Sequence, residues 1–296
     1  MRKFSIKSFP LLILVLVATL NSVPPAEGWT FWKYNTGDAV SSVAVSSDGN
    51  YTVAGTKNGS LFLLNKQGTL IWSRSLGSEV EGVSISGDGN RILVGVAEYW
   101  TGEPDVFLLD NNGDIVWERD LIDSGEPCGV SISQDGKYIA TGDTGNKVRF
   151  FNSSGYQLWT KELGDWATSV SVSSAGGYIA AGSWDYNVYF FNKSGYELWN
   201  YDTQYSVYGV STSPEGGYVA SVGSDIFFFD STGHQLWNIT SYFGDGISVS
   251  ANGDYIAAGE KYDDKITLLN KVGGELWNWN VGYGVNSVAI TSDGKF

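Results

Sequence analysis

The residue types that most often carry out chemistry in enzymes are scarce in this sequence. His234 is the only histidine and Cys128 the only cysteine among 296 residues. His234 lies in a repeated turn whose other copies carry Thr, Asp, Tyr or Gly, so we expect a solvated turn residue rather than a general base. Cys128 follows Glu126, which disfavours a thiolate, so we expect a buried, unreactive thiol. The sequence therefore predicts no catalytic residue and no metal site of Cys and His.

Carboxylates are plentiful, but many of them recur at one place in a repeat. Asp-Gly pairs occur at Asp48, Asp88, Asp135 and Asp293. Asp accepts hydrogen bonds from nearby backbone and Gly adopts positive φ at little cost, so these pairs indicate tight turns rather than acid–base catalysis. No nucleophile elbow, HExxH motif or phosphate-binding loop accompanies them.

A repeat of about 40 residues must position whatever side chains act in function. Tryptophans recur at Trp32, Trp72, Trp117, Trp159, Trp199, Trp237 and Trp277. Four pieces recur between them, as in SVAVSSDG (42–49), YIAAGS (178–183), VYFFN (188–192) and the spacing Asn192, Gly195, Trp199. The first piece alternates Val or Ile with Ser or Thr, and the third is an apolar run, so both predict strands. In the fourth piece we expect a tight turn followed by a Trp that docks on the next strand.

Four short strands per repeat, without any helical periodicity, predict an all-β fold, a β-propeller of four-stranded antiparallel blades. A parallel β-helix is the structural alternative, but it needs shorter rungs. First strands occur seven times and complete four-strand sets six times, so we expect seven blades over residues 29–296. The last, incomplete blade would combine residues 286–292 with a lone fourth strand at 29–34, as in a truncated sequence. A six-bladed ring with spare ends is the alternative.

These pieces carry a resemblance to two propeller families. The first three are similar to WD40 repeats, including Asn or Asp before the third strand at Asn58, Asp105, Asp185, Asp225 and Asp264. The fourth resembles the tryptophan-docking repeat of PQQ-type quinoproteins. The resemblance covers about residues 29–296 and implies the fold, whereas both families host many activities. PQQ-dependent dehydrogenases use a vicinal Cys pair, which one cysteine excludes, so no cofactor is expected.

In the resembled families, the loops that enter each first strand surround one mouth of the central channel, beside the turns between second and third strands. Here those segments are rich in carboxylates and aromatic rings. The candidate binding residues are Asp38, Glu79, Trp100, Glu126, Asp165, Trp166, Trp184, Asp185, Tyr205, Phe243 and Tyr283. Aromatic rings stack on sugars or fill protein pockets while acids accept hydrogen bonds, so we expect this mouth to bind a glycan or a polypeptide. The alternative is that these rings only pack between blades.

The N-terminus predicts export. Arg2, Lys3 and Lys7 precede the apolar run Leu11–Leu20, and a Pro-containing segment ends in small residues near Gly28. That order indicates a secretory signal peptide over residues 1–28, with an uncleaved anchor as the alternative. The formal charge of −14 disfavours nucleic acid and anionic membranes as partners.

The sequence thus indicates a secreted or cell-envelope propeller that is not an enzyme, acts as a protein-interaction scaffold and is expected to be a monomer. Its expected partner is a protein or glycan of the cell envelope, and it would touch membrane only through an uncleaved signal. A carbohydrate-binding propeller is the alternative, and an enzyme related to quinoproteins or lyases is the second alternative.

Overall fold

A computed structural model of the chain describes residues 12–15, 32–97, 105–121, 125–240, 244–282 and 284–294. These ranges form 26 β-strands and no helix, so the fold is all-β as predicted. It follows that no helix in them is long and apolar enough to cross a lipid bilayer.

Twenty-four of these strands form six four-stranded antiparallel blades arranged in a ring. Blade 1 contains β3 (Val40–Val45), β4 (Tyr51–Thr56), β5 (Ser60–Asn65) and β6 (Leu70–Ser75), and blade 2 contains β7 (Val80–Ile85), β8 (Arg91–Val96), β9 (Val106–Asp110) and β10 (Ile115–Arg119). Blade 3 contains β11 (Pro127–Ile132), β12 (Tyr138–Asp143), β13 (Lys147–Asn152) and β14 (Gln157–Glu162), and blade 4 contains β15 (Ala167–Val172), β16 (Tyr178–Ser183), β17 (Asn187–Asn192) and β18 (Glu197–Asp202). Blade 5 contains β19 (Gly209–Thr212), β20 (Tyr218–Val222), β21 (Asp225–Asp230) and β22 (Gln235–Thr240), and blade 6 contains β23 (Gly244–Val249), β24 (Tyr255–Glu260), β25 (Lys265–Asn270) and β26 (Glu275–Asn280). The remaining pair is β1 (Leu12–Val15) and β2 (Trp32–Asn35).

The third strand of each blade supplies the centre of the core. Phe150, Phe190 and Phe228, one from each of three successive blades, are fully buried. Phe150 packs with Val170 and Ile179 of the next blade. Each buried Phe contributes about 1.5–3 kcal/mol to stability. No blade buries both of its faces alone, so this packing between neighbours stabilises the ring.

One serine of each first strand, together with Ser287, links neighbouring segments around the channel. The hydroxyl of each of these seven serines accepts a hydrogen bond from a backbone N–H of the next inner segment, at 3.0–3.3 Å. The pairs are Ser42 with Val83, Ser84 with Ile132, Ser131 with Val172, Ser169 with Val210, Ser211 with Val249, Ser248 with Ile290 and Ser287 with Val43. The last pair closes the ring. The alternation of Val and Ser therefore places apolar side chains in the blade and hydroxyls on the neighbouring strand.

The tryptophans of the fourth piece link neighbouring blades at the outer side. For six of these tryptophans the indole Nε1 donates a hydrogen bond of 2.7–3.1 Å to a backbone carbonyl in the turn of the next blade. The rings of Trp159 and Trp199 also contact Phe191 and Phe229 on the third strands of the next blades. The hydrogen-bonded pairs are Trp32 with Lys66, Trp72 with Asn111, Trp117 with Ser153, Trp159 with Lys193, Trp199 with Ser231 and Trp237 with Lys271. This turn is the Asn or Asp, Gly motif found in the sequence.

The prediction of a seven-bladed ring is wrong in its number of blades. Residues 286–292 form no strand, and β2 pairs with β1 rather than with them. The segment 284–294 instead lies between the first and last blades, where Asn286 Nδ2 donates to the carbonyl of Val40 and Ala251 N–H donates to that of Ser292. A single segment lacks neighbouring strands to complete a ladder, so it contacts both blades without joining a sheet. Trp32 makes to the turn of blade 1 the same kind of indole hydrogen bond that later tryptophans make to their next blades.

The predicted signal peptide over residues 1–28 lies outside the described residues, apart from β1. It stays a prediction.

Candidate binding site on the channel-mouth face

The loops entering the first strands and the turns between second and third strands are adjacent, as the sequence predicted. A backbone hydrogen bond of 2.8–3.1 Å joins them in each of the first four blades. The donor and acceptor are Lys57 and Ala39, Ala97 and Glu79, Thr144 and Glu126, and Trp184 and Trp166. All blades share one strand order, so these segments lie on one side of the ring, which we call the channel-mouth face.

The structure brings together four of the predicted residues in blade 4 and leaves others apart. Asp165, Trp166, Trp184 and Asp185 lie in the two adjoining segments of that blade. Asp38 is half-buried, and its backbone carbonyl accepts a hydrogen bond from the Thr36 hydroxyl. Trp100, Phe243 and Tyr283 lie outside the described residues.

Trp166 and Trp184 form a stacked pair on this face. Their ring centroids are 4.3 Å apart and their planes are inclined by 18°. Both residues are 37% exposed. One face of each indole is covered by the other ring, while more than a third of each residue remains exposed to solvent.

Asp185 fixes the turn beneath this pair. Its Oδ2 accepts hydrogen bonds from the Gly164 N–H at 2.7 Å and from the Tyr189 hydroxyl at 2.6 Å, while its Oδ1 accepts one from the Asn187 N–H at 2.9 Å. Burial, followed by the bond and charge of Asp185, raises the pKa of the Tyr189 hydroxyl. Asp185 therefore orients the loop that carries Trp166 and the turn that carries Trp184. Its role in the structure is to position the patch.

Two tyrosines extend the aromatic surface toward blade 5. Tyr205 is 55% exposed, and Tyr186, which sequence analysis missed, is 49% exposed with a φ of 77°. The Thr203 hydroxyl lies 2.9 Å from the carbonyl oxygen of Tyr186 and 2.7 Å from that of Tyr205, which joins their loops. The aromatic patch is defined here as Trp166, Trp184, Tyr186 and Tyr205.

Carboxylates dominate the face at blades 1 to 3. Glu79 forms an ion pair of 2.8 Å with Lys57. Burial and the neighbouring Glu79 raise the pKa of the Glu126 carboxyl, and burial together with Glu79 and Glu126 raises that of Glu81. Glu81 is half-buried. These shifts show that the three carboxylates share one electrostatic environment.

Asp105 does not lie open at the mouth, although its turn was predicted there. Its side chain is buried, and both carboxylate oxygens accept the Leu121 N–H, at 3.1 and 3.3 Å. Burial raises the pKa of Asp105 to about 7, and Asp120 adds to the rise. Asp105 therefore joins two segments of blade 2.

The two residues considered first for catalysis lie in different environments. Burial raises the pKa of the Cys128 thiol to about 12, and the carboxylates of Glu81, Asp143 and Glu126 add to the rise. His234 lies in the exposed turn after β21, where its N–H donates to Asp230 Oδ1 at 3.2 Å. Within the described ranges, no three His, Cys, Asp or Glu side chains are grouped so that they could hold a metal ion.

The Asp-Gly turns hold their aspartates as predicted. Ser46 and Ser86 donate hydroxyl hydrogen bonds of 2.6 Å to Asp48 and Asp88 of their own turns. These bonds, with those from neighbouring Asn residues, hold the pKa of both carboxyls below the usual range against the opposing effect of burial. These carboxylates therefore serve to stabilise their own turns.

Comparison with protein families agrees with this architecture. A family model described as outer membrane protein assembly factor BamB matches residues 102–229, which is less than half of the chain. A model described as WD domain, G-beta repeat matches residues 30–65, which comprise β2 to β5. No curated protein matches the chain. The chain is therefore a β-propeller built from WD40-like and PQQ-like repeats.

Proposed function

We propose that this chain is an exported, non-catalytic scaffold that binds a partner protein at the cell envelope through its channel-mouth face. The observation that carries the proposal is the exposed stack of Trp166 on Trp184. Trp and Tyr are the residues that most often dominate the binding energy of protein interfaces.

The fold does not require tryptophan at these two positions. The same backbone hydrogen bond joins Lys57 to Ala39 in blade 1 and Thr144 to Glu126 in blade 3. Ala, Lys, Glu and Thr thus support the same backbone geometry that the Trp pair supports in blade 4. This equivalence argues against the alternative that the rings only pack between blades.

The patch is also held rigidly before any partner binds. Asp185 accepts hydrogen bonds from the loop that carries Trp166 and from the turn that carries Trp184. The Thr203 hydroxyl joins the loop of Tyr205 to the turn of Tyr186. A surface ordered in advance loses less conformational entropy on binding, which favours affinity. Such rigidity is typical of a docking surface.

Export and location are supported by two observations. The basic start, with Arg2 and Lys3, and the apolar run Leu11–Leu20 favour a signal peptide. A family model that matches residues 102–229 is described as outer membrane protein assembly factor BamB. A fusion of residues 1–40 to a reporter enzyme that is active only outside the cytoplasm tests export directly, and a fusion that stays inactive contradicts it.

The non-catalytic role is supported by the environments of Cys128, the candidate nucleophile, and His234, the candidate base. A thiol such as Cys128, with a pKa of about 12, is almost wholly protonated at neutral pH and is a poor nucleophile. His234 donates its backbone N–H to a turn aspartate, and its ring belongs to an exposed turn.

The test is affinity capture from an envelope extract, with partners identified by cross-linking and mass spectrometry. The full chain is compared with the double variant Trp166→Ala, Trp184→Ala. A matched control is Tyr156→Ala, Tyr196→Ala, since both tyrosines are 69% exposed but lie in the turns before outer strands. We expect a specific protein to be lost from the Trp variant and kept by the Tyr variant. Equal capture by all three proteins contradicts the proposal.

A carbohydrate-binding propeller is the competing function, because exposed aromatic faces beside Asp185 and Asp165 would also suit a sugar. A glycan array with the same three proteins separates the two. Trp-dependent binding to a glycan, without a Trp-dependent protein partner, decides for the carbohydrate function.

A further inference from the structure

The segments that form the aromatic patch carry negative charge and no positive charge. They are residues 163–168, 183–189 and 202–208, whose ionisable acids are Asp165, Asp185 and Asp202 and which contain no Lys, Arg or His. The whole chain has a formal charge of −14. An aromatic surface with this charge attracts cations, which raises both the encounter rate and the specificity for a basic partner.

The indole faces are suited to a cation in particular. A guanidinium or ammonium group is attracted to the negative face of an aromatic ring, and Trp is the strongest of the aromatic residues in this interaction. Elsewhere in this chain, Lys193 Nζ lies 3.7 Å from the ring centroid of Tyr138 and Lys271 Nζ lies 4.1 Å from that of Tyr218. No basic side chain of the described part of the chain lies over Trp166 or Trp184. The faces of the pair are thus left for a cation from another molecule.

Asp165 supplies an anion next to the pair in the chain. Its Oδ1 accepts the backbone N–H of Trp166 at 2.8 Å, and no described residue donates a hydrogen bond to its Oδ2. A guanidinium lying over an indole would thus find a carboxylate oxygen beside it, and charge-assisted hydrogen bonds of this type are about twice as strong as neutral ones.

The blades differ in whether the acids of the channel-mouth face are paired with a basic side chain of the same chain. In blades 1 and 2, Lys57 already neutralises Glu79 through a 2.8 Å ion pair. In blade 4 the half-buried Asp165 and the exposed rings lie together without an internal cation. The aromatic patch therefore offers a basic group both a carboxylate and aromatic rings.

We propose that the aromatic patch binds an Arg or Lys side chain of an extended polypeptide, with the cation over the Trp166–Trp184 stack and beside Asp165. The inference rests on the proposed scaffold function and names the chemistry of its partner. A neutral sugar gains nothing from the negative potential, and an acidic polysaccharide is repelled by it, so the charge favours a basic polypeptide over a glycan.

The test is selection of a random peptide library, displayed on phage, against the immobilised full chain. We expect the selected peptides to contain more Arg and Lys than the unselected library. A selected peptide, made synthetically, should bind Trp166→Ala, Trp184→Ala about tenfold more weakly, the loss that a partly desolvated cation–π contact predicts. Trp166→Phe, Trp184→Phe should retain part of the affinity, and Tyr156→Ala, Tyr196→Ala should retain all of it. Circular dichroism of each variant confirms that the fold is intact.

Charge provides a second, independent readout. Asp165→Asn keeps the acceptor for the Trp166 N–H but removes the charge, so we expect a weaker affinity and a weaker dependence of affinity on salt. Selected peptides without enrichment in Arg or Lys overturn the inference and leave the scaffold function standing. Basic peptides that bind the Trp→Ala variant as tightly as the unaltered chain also overturn it. A failure of the library to enrich any peptide above a surface without protein contradicts the scaffold function itself.

Discussion

The contact between each docked tryptophan and the glycine of the next blade predicts how much one methyl group destabilises the ring. Gly155 and Gly233 occupy the same position in their turns, with φ values of 79° and 82°. An alanine Cβ at Gly155 would lie 3.4 Å from the nearest atom of Trp117, which is ordinary contact. At Gly233 it would lie 2.8 Å from Cδ2 and Cγ of Trp199, which is an overlap. Alanine substitutions at Gly155 and Gly233 therefore separate the cost of backbone strain from the cost of disturbing the docked tryptophan.

Both substitutions introduce the same backbone strain, but only Gly233→Ala also places a methyl group into the tryptophan ring. Placing alanine at a φ near 80° costs about 1 kcal/mol of unfolding free energy in both. Trp199 has little room to move, because its ring stacks 5.1 Å from Phe190 and its Nε1 donates to the Ser231 carbonyl. The overlap at Gly233→Ala therefore adds about 1–3 kcal/mol, the usual cost of overpacking. We expect a loss of about 1 kcal/mol for Gly155→Ala and about 2–4 kcal/mol for Gly233→Ala.

The assay is urea unfolding followed by tryptophan fluorescence, with circular dichroism as a second probe of two-state behaviour. A double-mutant cycle with Trp199→Leu isolates the overlap, because the smaller side chain leaves space for the alanine. In that background the cost of Gly233→Ala should fall to that of Gly155→Ala. Equal losses for the two single variants, or a cost that persists in the Leu background, refute the reasoning.

Two further predictions concern ring closure and pH. Ser287→Ala removes the acceptor of the Val43 N–H, the bond that closes the inner ring, so unfolding free energy should fall by about 1 kcal/mol, and no change by urea titration would contradict closure there. Asp105 has a pKa raised from 3.8 to about 7, so the folded state favours its protonated form and stability should fall as pH rises from about 4 to about 7. The full shift corresponds to about 4 kcal/mol, and unfolding midpoints at pH 5 and pH 8 should differ less for Asp105→Asn than for the unaltered chain; equal differences would contradict the assignment to Asp105.

The repeat in the sequence is sufficient to predict the blades, because each strand and turn follows from local patterning. The alternation of Val and Ser predicts strands such as β3, and the Asp-Gly pair predicts the turn after it. The partner of each serine could not be predicted, because the N–H that donates to it belongs to the next inner segment. That segment is 38 to 48 residues away in six pairs and 244 residues away for Ser287 and Val43. That offset depends on how blades pack, which local patterning does not specify.

The number of blades and the burial of Asp105 also depend on packing that local sequence patterns do not specify. Counting seven first-strand pieces led to seven blades, but the last piece, within residues 284–294, forms no strand. Asp105 occupies the position that Asn187 has in blade 4, where the residue is half-buried, yet the Asp105 carboxylate bends back to the Leu121 N–H and is buried. Equivalent positions in a repeat share a backbone, while their side chains respond to neighbours that differ from blade to blade.

Differences between the side chains at equivalent positions of the blades also identify a candidate site in a repeat protein. Positions that the fold uses, such as the docked Trp and the turn Gly, keep one residue type because each performs the same contact in every blade. The positions of Trp166 and Trp184 make the same backbone hydrogen bond in blades 1 and 3, where Ala39, Lys57 and Glu126 are among the residues that make it. The bond requires no particular side chain, so two tryptophans that meet there in one blade, each 37% exposed, are free to serve binding. Aligning the copies within the sequence reveals both positions, but their stacking becomes visible only when the blade brings together residues that lie 18 apart in the chain.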